Sequence, residues 1–279
     1  MTLDYHKDVL AIKEWVAKET HLPNDLEDLM IEKCVHSCYG SLEKTKKCIE
    51  KFCSGRYNMP ETYTSRDPCS AKLQNAFSVG YVATYDAGDN EILMYHLNTP
   101  TLDKFDYYDI LKSFSIQADY WLKVHPFLPE GHIVIMDLKY ITLRIIPKIN
   151  IFYFQKFLIF LLEGMPVRLK QVHIINCPSY YEKLFALVKP ALPQEIIDLM
   201  SFHSGHEGLH SFIDKKYLPQ EYGGEAQSFK EQHTDWVNTI VGERKLFLND
   251  NLWKADLTKK LKTNGEEIMN GSFRTLSID

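Results

Sequence analysis

Three apolar stretches decide the fold: Ile133-Val-Ile-Met136, then INIFYFQKFLIFLL at positions 149–162, then Val172-His-Ile-Ile175. The first and the last are short apolar runs of the kind found in buried strands. The middle stretch is apolar on nearly every face of a helix, and such a helix must bury all its faces. The order strand, helix, strand indicates a βαβ crossover and a parallel sheet. We therefore expect an α/β domain around these residues.

A predicted hairpin and a predicted helix precede this unit. Val79–Tyr85 and Ile92–Leu97 are β-rich and flank a turn at positions 87–90. Tyr107–Val124 is helix-like. Downstream, Leu199–His203 is a candidate additional strand, and Phe229–Val241 a candidate helix.

The first seventy or so residues are predicted to be helical. One helix face carries Val9, Ile12, Trp15 and Val16. Ser41 is a suitable N-cap for a later helix that runs to about Arg56.

Composition limits the class of protein. Hydrophobic residues make up 45% of the 279 residues, and the net charge is −5 with a pI near 6.1. Without a basic excess we expect no nucleic-acid partner. Charges interrupt the N-terminus early, so we expect no signal peptide, and the six cysteines are then expected to be reduced thiols in the cytoplasm. The longest apolar stretch is short of the ~20 residues that a spanning helix needs.

Motifs of common catalytic sites are absent: the sequence has no G-x-S-x-G, G-x-x-x-x-G-K, G-x-G-x-x-G or H-E-x-x-H. Two sets of residues are of the types that ligate metals: His203, His206 and His210, and Cys34, Cys38, Cys48 and Cys53. The histidine spacings could ligate a metal, but no neighbouring Cys completes a recognisable ligand set, and the cysteine spacing contains no C-x-x-C pair. We therefore expect no catalytic residue, no metal and no cofactor.

Two features admit both a structural and a functional interpretation. The apolar helix at 149–162 can be a core helix packed on the sheet, or it can meet the sheet on one face and a ligand on another, with Tyr153, Phe157, Phe160 and Leu161 forming a wall. Arg168 and Lys170 point to the same side of an extended segment. They can be a solvated strand entry or a contact for lipid phosphate, where each basic residue adds about 1 kcal/mol.

Several stretches, in order and spacing, resemble the CRAL-TRIO lipid-binding family: Ile135–Leu138, Val172–Pro178, Val188–Pro193 and Leu218–Glu225. Upstream, several features look like the N-terminal helical module of that family: SLEKTKKCIEKF, Arg56, MPE and RDP. The closing GSFRTLSID is similar to the tail of its arthropod alpha-tocopherol-transfer-protein-like branch.

The resemblance implies an α/β fold in which an all-helical N-terminal module (1–70) precedes a CRAL-TRIO lipid-binding domain (71–228) with a mostly parallel sheet. A C-terminal helix and tail (229–279) would pack on that domain. The sheet would be the floor of an apolar cavity, and a mobile helical lid at about Pro178–Leu199 would close it. Members of the family carry tocopherol, retinaldehyde or phosphatidylinositol between membranes.

The resemblance also implies a set of ligand-binding residues. The tocopherol-type pocket residues of the family are carried over residue by residue, and one face of the predicted helix Tyr107–Val124 is added to them. The expected lining is Phe114, Ala118 and Trp121 from that helix, with Met136, Ile149, Tyr153, Phe157, Phe160, Leu161, Val167, Leu169, Val172, Leu184 and Leu187. Ser115, Asp119 and Tyr153 are candidate polar anchors, and Arg168 and Lys170 candidate membrane contacts.

Departures from the family narrow the expected cargo. In the phosphatidylinositol-exchanging branch a Glu and a Lys hold the inositol headgroup, and these two positions are Val167 and Glu207 here. In the tocopherol branch four basic residues bind a membrane phosphoinositide, and two of these positions are Glu195 and Leu199 here. The basic run of the N-terminal module is replaced by Cys34-Val-His-Ser-Cys38. We expect a monomeric, non-enzymatic carrier of one small isoprenoid-like lipid, such as a tocopherol, retinoid, carotenoid fragment or terpenoid hormone, with transient membrane contact. The alternatives are a ligand-sensing scaffold, a phosphoinositide-binding regulatory module and a lipid-modifying enzyme.

Overall fold

The computed structural model describes residues 5–98 and 103–260. The helices among them are α1 His6–Val16, α2 Asp28–Ser37, α3 Leu42–Asn58, α4 Pro60–Tyr63, α5 Ala71–Val79, α6 Tyr107–Val124, α7 Ile151–Gly164, α8 Tyr181–Val188, α9 Gln194–Ile197, α10 Phe229–Gly242 and α11 Arg244–Phe247. The strands are β1 Gly80–Ala87, β2 Asn90–Leu97, β3 Gly131–Asp137, β4 Leu169–Ile175 and β5 Met200–Phe202. The family-like tail at 271–279 lies outside the described residues.

The five strands form one sheet in the order β1-β2-β3-β4-β5. β1 and β2 pair antiparallel, whereas the β2–β3, β3–β4 and β4–β5 pairs are parallel. The predicted hairpin, the βαβ unit and the strand near residue 200 are therefore confirmed. α6 connects β2 to β3 and α7 connects β3 to β4, as parallel pairing requires a crossover.

The N-terminal helices are confirmed and share their core with distant parts of the chain. Ser41 caps α3 by accepting a hydrogen bond from the main-chain N–H of Lys44. Ile12 and Phe52 are fully buried in a cluster that also contains Phe157 of α7 and Trp253 of the C-terminal segment. The chain thus folds back so that its C-terminal part stabilises its N-terminal helices.

α7 packs mainly against α3 and the segment after β4, and the strands are not among its main partners. The helices α3 and α7 approach closely because Gly55 leaves room for the ring of Phe160, and Gly164 lies against the backbone of Phe52. The sequence left open whether this helix packs on the sheet or also faces a ligand, and its strongest contacts are with α3. A space separates α7 from the sheet, and side chains of both elements face it.

In the part of the chain that the structure covers, no helix combines the length and apolarity needed to cross a bilayer.

Candidate functional site: an apolar cavity under a helical cover

The two faces of the sheet are packed differently. One face, here the closed face, carries Tyr81, Ala83, Ile92, Met94, Ile133 and Ile135. All of these are buried against the loops after β5, including Leu209 and Leu218, which are themselves fully buried. Because side chains alternate along a strand, the residues between them lie on the opposite face.

That opposite face, here the open face, carries two parallel rows of apolar side chains. The strand register aligns the first row as Leu93, Val134, Val172 and Met200, and the second as Tyr95, Met136, Ile174 and Phe202. Val172 and Ile174 are buried, but the other six remain partly exposed. Apolar side chains in the middle of a covered sheet stay accessible only where the covering elements leave a space above them.

α6 forms one wall of this space. Phe114 and Ala118 are partly exposed, although most of their neighbours along the middle of the helix are buried. The ring of Phe114 meets Tyr95 of the open face edge-on, with 6.1 Å between centroids, and Phe157 of α7 at 5.9 Å. These aromatic contacts connect sheet, wall and α7 around one space.

The segment after β4 covers the space without filling it. α8 is amphipathic, yet no residue of α8, of the turn Lys189–Ala191 or of α9 is buried. Leu184 and Leu187 are partly exposed. Phe185 touches the open face only at its edge, with its ring 5.2 Å from that of Phe202. An apolar helix face that covers apolar residues without becoming buried indicates an unfilled cavity beneath it.

The predicted wall residues of α7 are divided between the cavity side and the helical core. Phe157 contacts Phe114. Phe160 instead stacks on Phe52 and meets Tyr63 edge-on at 5.6 Å, so this predicted lining residue packs into the N-terminal helices. Tyr153 packs near Tyr108, and a 2.7 Å hydrogen bond joins its hydroxyl to that of Thr62.

The remaining predicted lining residues also fall into two groups. Met136 and Val172 lie on the open face, and Leu169 begins β4 and is partly exposed. Ile149, Leu161 and Val167 are partly buried and pack against the helical core. Trp121 is buried, and its Nε1 donates to Glu91 under the ammonium of Lys33, so its predicted place in the pocket is wrong.

Two predicted polar anchors serve the helical core instead. Asp119 is 1% exposed and accepts from Arg56 at 2.5 and 2.9 Å and from Arg66 at 2.5 Å. Burial would raise the pKa of this carboxyl, but the two guanidinium groups outweigh burial and hold the pKa below its usual range. Ser115 donates to the main-chain oxygen of Lys112. Both side chains are committed to the protein, so neither is an anchor for a ligand.

The metal-type sets noted in the sequence are not assembled. His203 Nε2 pairs with His173 Nδ1 at 3.0 Å, whereas His210 Nε2 pairs with the main-chain oxygen of Tyr222. The six cysteines are free, and among the described residues neither set brings three possible ligand atoms together.

Comparison with known proteins agrees with this architecture. The CRAL/TRIO domain family matches residues 78–224, more than half of the chain, and the Pinta-like UBA domain family matches residues 2–73. The chain belongs to the CRAL/TRIO family. CRAL/TRIO proteins bind lipophilic ligands, and the cavity described above lies within the matched range.

Relatives and a solved structure extend the comparison. The alpha-tocopherol transfer protein-like proteins of Homo sapiens and Mus musculus are each 22% identical over 225 residues, which cover 79% of this chain and 65% of theirs. Clavesin-1 of Rattus norvegicus is 24% identical over 135 residues, 48% of this chain and 38% of that protein. The crystal structure of Sfh5 shares the fold at a TM-score of 0.51, with 16% identity, covering 88% of this chain and 98% of that one.

The two predicted membrane-contact residues of the CRAL/TRIO domain have different environments. Arg168 is buried, and its Nε donates to the main-chain oxygen of His36 at 2.7 Å while its guanidinium lies 4.2 Å from the ring centroid of Tyr39. Because a buried charge needs such partners, Arg168 fastens α2 to the sheet and its predicted role as a membrane contact is wrong. Lys170 is exposed and donates to Asn90.

Sequence reasoning missed part of the cavity floor. Leu93, Tyr95 and Val134 line the open face beside the predicted Met136, as does Phe202 of β5. The alternation of β2 contained a usable signal, because Leu93 and Tyr95 are spaced by two residues and must share a face. The covering helices decide which face of the sheet is open, and the sequence of the strand alone does not predict that face.

Proposed function

We propose that this chain binds one small lipid without a charged headgroup, of isoprenoid type, in the cavity over the open face and transfers it between membranes. Two observations carry the proposal. Most residues in the two apolar rows of the open face stay partly exposed, and no residue of α8, which lies over them, is buried. A ligand that fills this space would bury the rows and the inner face of α8 together.

Energetics favour an apolar cargo. Burying about 400 Å² of apolar ligand surface contributes roughly 10 kcal/mol before the entropy of binding is subtracted. Such a gain is available to a tocopherol, retinoid or terpenoid, whose surface is almost wholly apolar. The name of the alpha-tocopherol transfer protein-like relatives agrees with this class of ligand.

One polar group remains available to orient a cargo. The hydroxyl of Tyr95 makes no hydrogen bond with any described residue, and burial raises its pKa well above the ordinary value. The group therefore stays neutral and can donate to a hydroxyl or carbonyl at one end of a ligand. Tyr95 replaces Ser115 and Asp119 as the proposed polar anchor.

A phosphoinositide cargo is less well supported. Val167 packs against the helical core, and the carboxylate of Glu207 is exposed and carries the wrong charge for a phosphate. With Arg168 buried, Lys170 is the exposed basic residue that remains of the predicted pair.

Membrane contact is proposed for the outer face of α7. Phe152 is 80% exposed and Ile159 is 41% exposed, and the two lie two turns apart on one side of the helix next to the cover. We propose that α8, the turn after it and α9 form a mobile lid that opens when this face meets a bilayer.

A cavity-filling substitution tests the binding site. Ala118→Phe places a ring in the space between α6 and the open face, so retention of all-trans-retinol, followed by its fluorescence, should fall at least tenfold. Ala71→Phe, at an exposed helical position, is the matched control and should bind as wild type. Native mass spectrometry should show a copurifying lipid in wild type and in the control. Retinol binding that survives Ala118→Phe in a folded chain, with no copurifying lipid, would refute the proposal.

A ligand-sensing scaffold is the second candidate, favoured by the reduced basic patch, because Arg168 is buried and only Lys170 of the predicted pair is exposed. Vesicle-to-vesicle transfer separates the two functions. A carrier moves many lipid molecules per protein, whereas a scaffold retains its ligand and moves none.

A further inference from the structure

A cluster of ionisable side chains lies at the other end of the open face, beyond Trp121. Asp86 and Glu91 are directly opposite each other on β1 and β2, and Glu91 is opposite His132 on β3. His125, at the end of α6, completes the group. Ligand-type atoms of Asp86, Glu91 and His125 all lie within 4.8 Å of one another.

Glu91 is the unusual member of the cluster. Its side chain is 0% exposed, and among the described residues no lysine or arginine forms an ion pair with it. Trp121 Nε1 donates to Oε1 at 3.0 Å, but Oε2 has no hydrogen-bond partner. A buried carboxylate facing a second carboxylate across a strand pair is destabilising unless a cation lies nearby.

The neighbouring histidines are oriented by other contacts. His132 Nδ1 accepts the main-chain N–H of Arg168 at 3.0 Å, so the ring proton is on Nε2, which faces Glu91 Oε2 at 3.5 Å. His132 therefore positions the carboxylate and is not itself a ligand. The buried Nδ1 of His125 has no partner either. Lys33 lies near enough to attract Glu91 electrostatically, although its Nζ donates to the main-chain oxygen of Trp121, and its one charge offsets only one of the two facing carboxylates.

We propose that Asp86, Glu91 and His125 form a binding site for a divalent transition-metal ion of the zinc class. One imidazole with two carboxylates suits zinc better than calcium, which takes six to eight oxygen ligands. Ligands at about 2.0–2.2 Å from one ion lie at most about 4.4 Å apart, so a small rotation of the exposed Asp86 side chain closes the site. The ion would offset the two facing carboxylates and bind Glu91 through Oε1, which faces His125 Nε2 at 3.8 Å and has a lone pair left beside the one that accepts from Trp121.

The remaining coordination position would open to solvent. Asp86 and His125 line a cleft of about 390 Å³, whose other walls include Val124, Gln232 and Trp236. Water or a small external ligand can enter there. The site would link the β1–β2 turn to the end of α6, and it is separate from the lipid cavity and independent of its cargo.

Zinc binding to the full chain tests the proposal directly. After treatment with a chelator, the wild-type chain should bind one Zn²⁺ in calorimetry and by metal analysis after dialysis. Asp86→Asn and His125→Gln should each abolish stoichiometric binding, and His132→Asn should weaken it by about 10- to 100-fold as a positioning residue. Asp89→Asn, an exposed carboxylate in the same turn, is the matched control and should bind one Zn²⁺.

Cobalt substitution gives a readout of the ligands themselves. Co²⁺ in this site should show visible absorption that Asp86→Asn and His125→Gln each remove. Two results would overturn the assignment: a wild-type chain that takes up no Zn²⁺ or prefers Ca²⁺, or an Asp89→Asn chain that loses as much zinc as Asp86→Asn. Because Asp86 is exposed, its variant should keep the wild-type circular dichroism spectrum, and His125→Gln provides an independent test.

Discussion

Gln155 of α7 holds the cover of the cavity through Leu187 of α8: its Nε2 donates to the main-chain oxygen of Leu187 at 2.7 Å. α8 has no buried residue, so few other contacts oppose its movement. This hydrogen bond is therefore a main candidate for the latch of the proposed lid.

Gln155→Leu should accelerate ligand release. A hydrogen bond of this kind contributes about 0.5–1.5 kcal/mol, which corresponds to a roughly 2- to 10-fold faster release of bound retinol into acceptor vesicles. Gln194→Leu is the matched control, because Gln194 lies in the same cover but bonds only to Asp198 of its own helix. Equal acceleration by both substitutions would show that the Gln155 bond is no latch.

Phe152→Ala should weaken association with vesicles. The ring is 80% exposed beside the cover, and burying it in a bilayer stabilises binding by about 1.5–3 kcal/mol, so sedimentation with neutral vesicles should fall at least tenfold. Phe212, 53% exposed on a loop of the closed face, provides the control substitution Phe212→Ala. If Phe212→Ala reduces sedimentation as much as Phe152→Ala, the membrane-facing surface has been assigned wrongly.

Asp119→Asn should destabilise the fold at neutral pH. Removing the charge leaves the buried guanidinium groups of Arg56 and Arg66 without their counterion, which costs about 3–5 kcal/mol in urea unfolding. The pKa of Asp119 is lowered in the folded state, so its contribution is present above about pH 4 and is lost as the pH falls through the folded pKa. The difference between variant and wild type should therefore shrink in strong acid. Asp103→Asn, at an exposed position, should leave stability unchanged.

His173→Gln should flatten the dependence of stability on pH. Burial, followed by the neighbouring His203, lowers the pKa of His173 to about 4, whereas the unfolded value is about 6.5. The unfolded chain therefore takes up the proton first, and wild type loses stability as the pH falls from about 6.5 towards about 4. Between pH 7 and pH 5 this loss is about 2 kcal/mol. Thermal or urea unfolding of both chains at these two values measures it, and parallel profiles would contradict the assignment.

Much of the fold was predictable because its signals are local. Helix and strand periodicities in β1, β2, α6 and α7 act over a few residues, and the apolar runs of β3 and β4 required a crossover between them. The same periodicity placed Phe114 and Ala118 on one face of α6. Order along the chain was therefore enough to predict the parallel sheet.

The candidate site was predicted only in part, because it depends on contacts between distant elements. Arg56 meets Asp119 63 positions away, and this pairing removes the expected anchor from the cavity. Arg168 reaches His36 across 132 positions, which turns an expected surface residue into a buried one. Asp86, Glu91 and His125 come from three elements and match no sequence motif, so no metal site was expected.

The sequence by itself determined the succession of helices and strands and supplied enough apolar side chains for a core and for a cavity lining. Tertiary structure alone decided which of these side chains go to the core and which to the cavity. α7 is apolar on nearly every face, so its sequence does not show which residues face the cavity. Its close contact with α3 at Gly55 places Phe160 in the helical core, whereas Phe157 lies beside the cavity. Secondary structure follows from local backbone and side-chain preferences, whereas a cavity is the space that remains after distant elements have packed.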